Sequence, residues 1–255
     1  MKNTSSNSPR SSEARREIKV FGVKACRAVF KARQTDIIKT YIVEDLRSEF
    51  KGLLDWCVKN RKPFDVVREA DLKKLSGSIH HEGIVMLTRV PKAIPLAEFL
   101  ASCDSNSALL VLEEVGNPHN LGAALRAGAF FGINALVVVG ENSAKISPAA
   151  MRVAQGAAEI LPVIYCESVK EALLAIAAHD IEIVATSPHA KESLFGLKMK
   201  APIAFLFGSE EKGLTKLALQ LVDQTVKIPG ADKVESLNLA CSVTAVLTEF
   251  TRQRA

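Results

Sequence analysis

Several things are scarce in this chain of 255 residues, and each scarcity narrows what it can be. No apolar run approaches the roughly 20 residues that a membrane-spanning helix needs. The opening stretch, MKNTSSNSPRSSEARRE, has no apolar core of a secretory signal. Both absences point to a cytoplasmic protein without a membrane partner. The cysteines, at 26, 57, 103, 166 and 241, are odd in number, scattered and never in a C-x-x-C pair. That pattern fits reduced thiols in core positions better than a disulfide framework or a zinc site. No two of the histidines at 80, 81, 119, 179 and 189 have zinc-ligand spacing, so no metal is expected. His80 and His81 could meet RNA or simply finish a strand, and His119 sits where a turn residue is expected. There is no G-x-G and no G-x-x-x-x-G-K-[ST], which removes the dinucleotide fingerprint, the P-loop and the glycine loop of ordinary Rossmann methyltransferases.

Charge is present but unevenly placed. Residues 1–92 hold 20 lysines and arginines against 11 acids, a net of +9, whereas residues 93–255 hold 13 against 17, a net of −4. A basic first part beside a mildly acidic second part predicts a module that meets a polyanion, joined to a domain that does not rely on bulk charge. Residues 1–16, rich in Ser, Asn and Arg, should be disordered. Residues 17–90 alternate short strands and amphipathic helices, from IKVFGVKACRAVFKAR to HHEGIVMLTRV. Residues 91–107, with two prolines and a polar end, read as a linker. From 108 to 255, apolar runs such as ALLVLEEV, ALVVVG, EIVATS, IAFLFG and QTVKIPG alternate with helical stretches. That pattern predicts an α/β domain with a parallel sheet covered on both faces. The second part is expected to fold without the first.

In such a sheet, ligands bind beyond the strand C-termini. Three loops there carry polar groups beside glycine: NPHNLGAALR (117–126), FGSEEKGL (207–214) and IPGADKVESLNLA (228–240). The last poses a puzzle, because Ser236 and Asn238 stand two residues apart where a helix begins and one cap needs only one of them. Asn120 and Ser236 could each be a helix cap, and Glu210 a solvated acid.

The three loops together resemble the three motifs of the SpoU, or TrmH-like, RNA 2′-O-ribose methyltransferases of the SPOUT superfamily. Asn120 and Arg126 flank Gly122 in the first motif; Gly208, Glu210 and Gly213 form the second; Ile228, Pro229, Ser236, Leu237 and Asn238 form the third. The first 90 residues are similar to the L30e-like substrate-binding domain that precedes this domain in many members. Gly230 and Asp232, in IPGAD, resemble the YfiF-type branch.

The resemblance implies a trefoil-knotted C-terminal SPOUT domain and a homodimer that acts on tRNA or rRNA. It implies S-adenosyl-L-methionine held near Thr186, Gly208, Ile228 and Leu237. It also implies a catalytic group of Asn120, Arg126, Glu210, Ser236 and Asn238. In that reading Arg126 grips phosphate and the developing alkoxide, since a guanidinium is essentially never deprotonated. Asn120, Glu210 and Asn238 orient Arg126 and the ribose by hydrogen bonds, and Ser236 assists. The apolar stripe Leu239, Val243, Val246, Leu247 and Phe250 fits either the chain's own core or a dimer interface. The alternative function is a non-catalytic RNA-binding protein that keeps the knotted scaffold.

Overall fold

The computed structural model describes residues 17–231 and 233–255; the tail 1–16 and Asp232 lie outside the described residues. Short alternating segments build the first unit: β1 (Glu17–Phe21), α1 (Val23–Arg33), β2 (Ile37–Ile42), α2 (Lys51–Lys59), β3 (Phe64–Val66), α3 (Glu69–Ser76) and β4 (Ile84–Arg89). The sheet order is β1-β4-β2-β3, antiparallel except for the β2–β3 pair. Ala25, Cys26 and Val29 of α1 turn one face to Val20, Ile37, Ile42, Ile84 and Met86, as helical periodicity requires. Burial pushes the Cys26 thiol well above its ordinary value, so this cysteine is inert packing. Cys241 departs from the expected core placement and is exposed.

The stretch 91–107 contains a short helix, α4 (Leu96–Leu100), whose Leu100 is buried against the second unit. That unit follows as β5 (Ala108–Glu113), α5 (Pro118–Phe130), β6 (Ala135–Val139), α6 (Pro148–Ala154), β7 (Val163–Cys166), α7 (Val169–Ala177), β8 (Glu182–Thr186), β9 (Glu192–Ser193), β10 (Ile203–Phe207), α8 (Lys216–Gln220), β11 (Gln224–Lys227) and α9 (Leu239–Arg254). Its strands pair in parallel in the order β7-β6-β5-β10-β8-β11-β9. Alternate residues of one strand serve the two faces: Leu110 and Leu112 enter one core, Leu109 and Val111 the other. Each such fully buried side chain stabilises the fold by about 1.5 to 3 kcal/mol before chain entropy is counted. The stripe on α9 lies inside its own chain, with Phe250 edge-to-face on Phe205 at 5.1 Å between centroids. The stripe is thus covered within the chain, and the outer face of α9 exposes Cys241, Thr244 and Thr248.

Two consequences of this topology position the site. Leu206 of β10 pairs with Ala185 of β8, and Ala185 with Thr225 of β11, so the chain leaves these three adjacent strands side by side at one edge. Helix α6 joins the two units. A Cβ on Gly122 of α5 would lie 2.5 Å from the carbonyl oxygen of Ala150, so only glycine lets α5 and α6 approach this closely. On its other side α6 inserts Met151 into the core of the first unit. Just beyond it, Glu159 takes a two-point ion pair from Arg33, at 2.6 and 2.9 Å, with both side chains nearly buried. Residues 93–255 alone would expose Met151 and leave Glu159 without its Arg33 partner.

Candidate functional site

Helix α5 starts where Asn117 and Pro118 make it start. The Asn117 Oδ1 accepts from the His119 N–H at 2.9 Å, and Pro118 occupies the first turn, where a missing N–H costs nothing. With the cap supplied by Asn117, Asn120 does not serve as one. It is buried, and its Nδ2 donates to Glu210 Oε2 at 2.5 Å. At the other end of the sequence α9 is capped by Asn238, not Ser236: Asn238 Oδ1 accepts from the Ala240 N–H at 2.9 Å. The same side chain donates through Nδ2 to Glu210 Oε1 at 2.7 Å, and the Leu239 N–H reaches that oxygen at 3.3 Å. One carboxylate thus holds two helix entrances, and the partial positive charge at the start of α9 favours it there.

The loop that presents Glu210 is folded on itself. A Cβ on Gly208 would lie 2.2 to 2.4 Å from backbone atoms of Gly213 and Leu214, and Gly213 takes a positive φ of 65°. Glycine is therefore required at 208 by close approach and favoured at 213 by conformation. The Gly213 N–H donates to the Ser209 carbonyl at 2.9 Å and closes the turn. The last contact of this loop escaped sequence reasoning. Thr215 donates to the buried Glu113 from its N–H at 3.0 Å and from its hydroxyl at 2.6 Å. The acidic doublet of LEEV at a strand end was the available signal, but its partner lies about a hundred residues away.

Thr186, Gly208 and Ile228 follow or end the three adjacent strands β8, β10 and β11, so the structure brings these three together at one edge. The Thr186 hydroxyl donates to the Leu206 carbonyl at 3.4 Å. Leu237 is 48% exposed on the loop between β11 and α9. Among the described residues, the main-chain groups of 229–231 and 233–237 make no hydrogen bond, which leaves donors and acceptors open to a ligand. A polar, adenosine-bearing ligand held by backbone fits such a lining.

Arg126 and Ser236 stand outside the network. Both are exposed, and neither side chain makes a hydrogen bond or ion pair among the described residues. Six residues along a helix place Arg126 about 120° around the axis from Asn120. The oxygens of Glu210 go to Asn120, Asn238 and the Leu239 N–H, and none of them meets Arg126. His81 is buried and its Nδ1 accepts from the Gly83 N–H at 3.2 Å, a turn contact.

Compared with known proteins, residues 107–248 match the family described as SpoU rRNA Methylase, and residues 19–92 that described as RNA 2′-O ribose methyltransferase substrate binding. The chain is 32% identical over 238 residues to a protein of Escherichia coli O157:H7 described as uncharacterized tRNA/rRNA methyltransferase YfiF, covering 93% of this chain and 68% of that one. It is 30% identical over 243 residues to the 23S rRNA (guanosine-2′-O-)-methyltransferase RlmB of Pseudomonas putida, covering 92% and 96%. Its fold is similar to that of the SpoU methyltransferase AviRb from Streptomyces viridochromogenes, solved in complex with AdoMet, with a TM-score of 0.81, 23% identity and coverage of 93% and 90%.

Proposed function

The chain belongs to the SpoU rRNA methylase family, and on that footing we propose that it transfers the methyl group of S-adenosylmethionine to a ribose 2′-hydroxyl of tRNA or rRNA. The observation that carries this reading is the Glu210 carboxylate, which ties the entrances of α5 and α9 to the loop after β10 beside unpaired main chain. S-adenosylmethionine supplies the electrophilic methyl group. Open backbone between Ile228 and Leu237, with Gly208 and Thr186 at the neighbouring strand ends, would hold its adenine and ribose.

Methyl transfer in line requires the 2′-hydroxyl to lose its proton as it attacks, so orientation and charge stabilisation supply much of the rate. Arg126, unpaired among the described residues, presents a fork of donors to a phosphate and the developing alkoxide. Asn120, Glu210 and Asn238 keep the loops in register, and Ser236 assists from the exposed side. Residues 17–90 act as the RNA-selecting module, 91–107 as the connection and 108–255 as the catalytic domain. Support for the first assignment comes from the +9 net charge of residues 1–92. We also read the sheet as trefoil-knotted, the protein as a homodimer and its location as the cytoplasm. The insertion of β10 between β5 and β8 fits a threaded chain, and no helix among the described residues is long and apolar enough to cross a membrane.

Calorimetry with S-adenosylmethionine, followed by labelled-methyl transfer to unmodified rRNA and tRNA, tests the reading. Binding and transfer are expected. Absence of binding at millimolar cofactor would leave the alternative, a non-catalytic RNA-binding scaffold.

A further inference from the structure

Glu113 ends β5 and has no accessible surface, in a strand whose other members are Ala, Leu and Val. A carboxylate there is disfavoured unless its oxygens are matched, and an aliphatic side chain would serve packing better. Among the described residues it has no cation; both oxygens are matched by Thr215 alone. Thr215 in turn caps α8, its hydroxyl oxygen accepting from the Ala218 N–H at 3.1 Å. The neighbouring acid Glu114 faces elsewhere, accepting from Asn142 at 3.3 Å.

The position of this pair decides what it controls. Phe207 of β10 pairs with Leu112 of β5, so the chain leaves the sheet at Gly208 one step beyond Leu112 and is fastened back to that level when Thr215 meets Glu113. Between the two anchors lies the turn closed by Ser209 and Gly213, with Glu210 upon it. The outgoing leg is fixed by strand pairing; the return leg lies against it where Gly213 and Leu214 approach Gly208, and its end at Thr215 is fastened by Glu113. We infer that Glu113 is a positioning residue for methyl transfer: it sets the return leg of the 208–215 loop and thereby where Glu210 holds the entrances of α5 and α9. Displacing a reacting group by about 1 Å is enough to cost on the order of a hundredfold in rate. The kinetic consequence rests on the methyltransferase reading; the anchoring of the loop does not.

The test uses the full chain with Glu113→Ala, Glu113→Gln and Thr215→Val. Amide hydrogen exchange across 208–215 is followed alongside calorimetry with S-adenosylmethionine and single-turnover methylation of in-vitro-transcribed rRNA. Glu113→Ala is expected to speed exchange in the loop about tenfold or more and to slow transfer at saturating substrates about as much, with the KM for RNA within about twofold. Glu113→Gln should restore most of both, because its carbonyl can accept from the Thr215 N–H and its amide can donate to the Thr215 hydroxyl oxygen. Wild-type exchange in folded Glu113→Ala, or a Gln variant as impaired as the Ala variant, would overturn the inference. Should Glu113→Ala fail to fold, Thr215→Val breaks the same contact from the loop side, and unchanged exchange there is equally fatal. If the wild-type chain neither binds the cofactor nor transfers methyl, the functional reading falls and loop exchange alone decides the role of Glu113.

Discussion

The entrances of α5 and α9 solve one problem in two ways. Both helices begin with an asparagine cap, and both must send an amide to Glu210. At α5 the tasks are divided: Asn117 caps and Asn120, three residues later, reaches the carboxylate. At α9 Asn238 does both, using its oxygen for the helix and its nitrogen for Glu210. A divided arrangement lets stability and alignment be altered separately; a shared one does not. The pairing of Ser236 with Asn238 also loses its puzzle, since Asn238 alone meets the needs of the helix and Ser236 is left pointing to solvent.

The largest expected effect lies on α5, outside this comparison of caps, and marks its boundary. Arg126→Ala should lower single-turnover methyl transfer by at least about a hundredfold. Melting temperature and calorimetric cofactor affinity should stay unchanged, and Arg126→Lys should recover only part of the rate. Next, Asn120→Ala should slow transfer by about tenfold while leaving the cap of α5 intact, since loss of one bond to a carboxylate is worth about 1.5 to 3 kcal/mol at most. Near-normal transfer by this variant would break the assigned link between Glu210 and alignment. Asn238→Ala should lose both functions, adding about 1 kcal/mol of destabilisation for the cap. Asn238→Ser keeps a capping oxygen, so denaturant titration of the two variants separates the cap from the Glu210 bond. Asn117→Ala should cost about 1 kcal/mol of stability with transfer within about twofold. Smallest of all, Ser236→Ala should change transfer by no more than about threefold, the scale of one weak neutral hydrogen bond; a hundredfold loss would restore Ser236 to the centre of the site.

Long periodic segments were legible in the sequence. The buried runs of β5, β6 and β10, and α5 and α9, follow directly from continuous apolar residues and 3.6-residue spacing. Short elements were not: β9 has two residues, and β7, VIYC, lacks an apolar run long enough to stand out. The choice of cap was hidden for a different reason. Asn117, Asn120, Ser236 and Asn238 are all competent caps by composition, and only the backbone decides which one precedes the first turn. The cluster at Glu210 became legible through motif spacing, because its members come from segments that no local pattern connects. Glu113 remained illegible, since its meaning lies wholly in Thr215 across the sheet.

Anyone wishing to recombine such proteins by exchanging front halves would meet Met151 first. It belongs by chain position to the second unit and by packing to the first, where it touches the core that includes Val20, Val29 and Met86. Arg33 and Glu159 repeat the arrangement with charge. The heritable cassette is therefore the first unit together with the 148–159 segment, and a chimera cut at the apparent linker would separate a plug from its socket. Grafts that carry Met151 and Glu159 along with residues 17–90 would keep that interface whole, at the expense of requiring a glycine opposite Ala150 in whatever α5 they are set against.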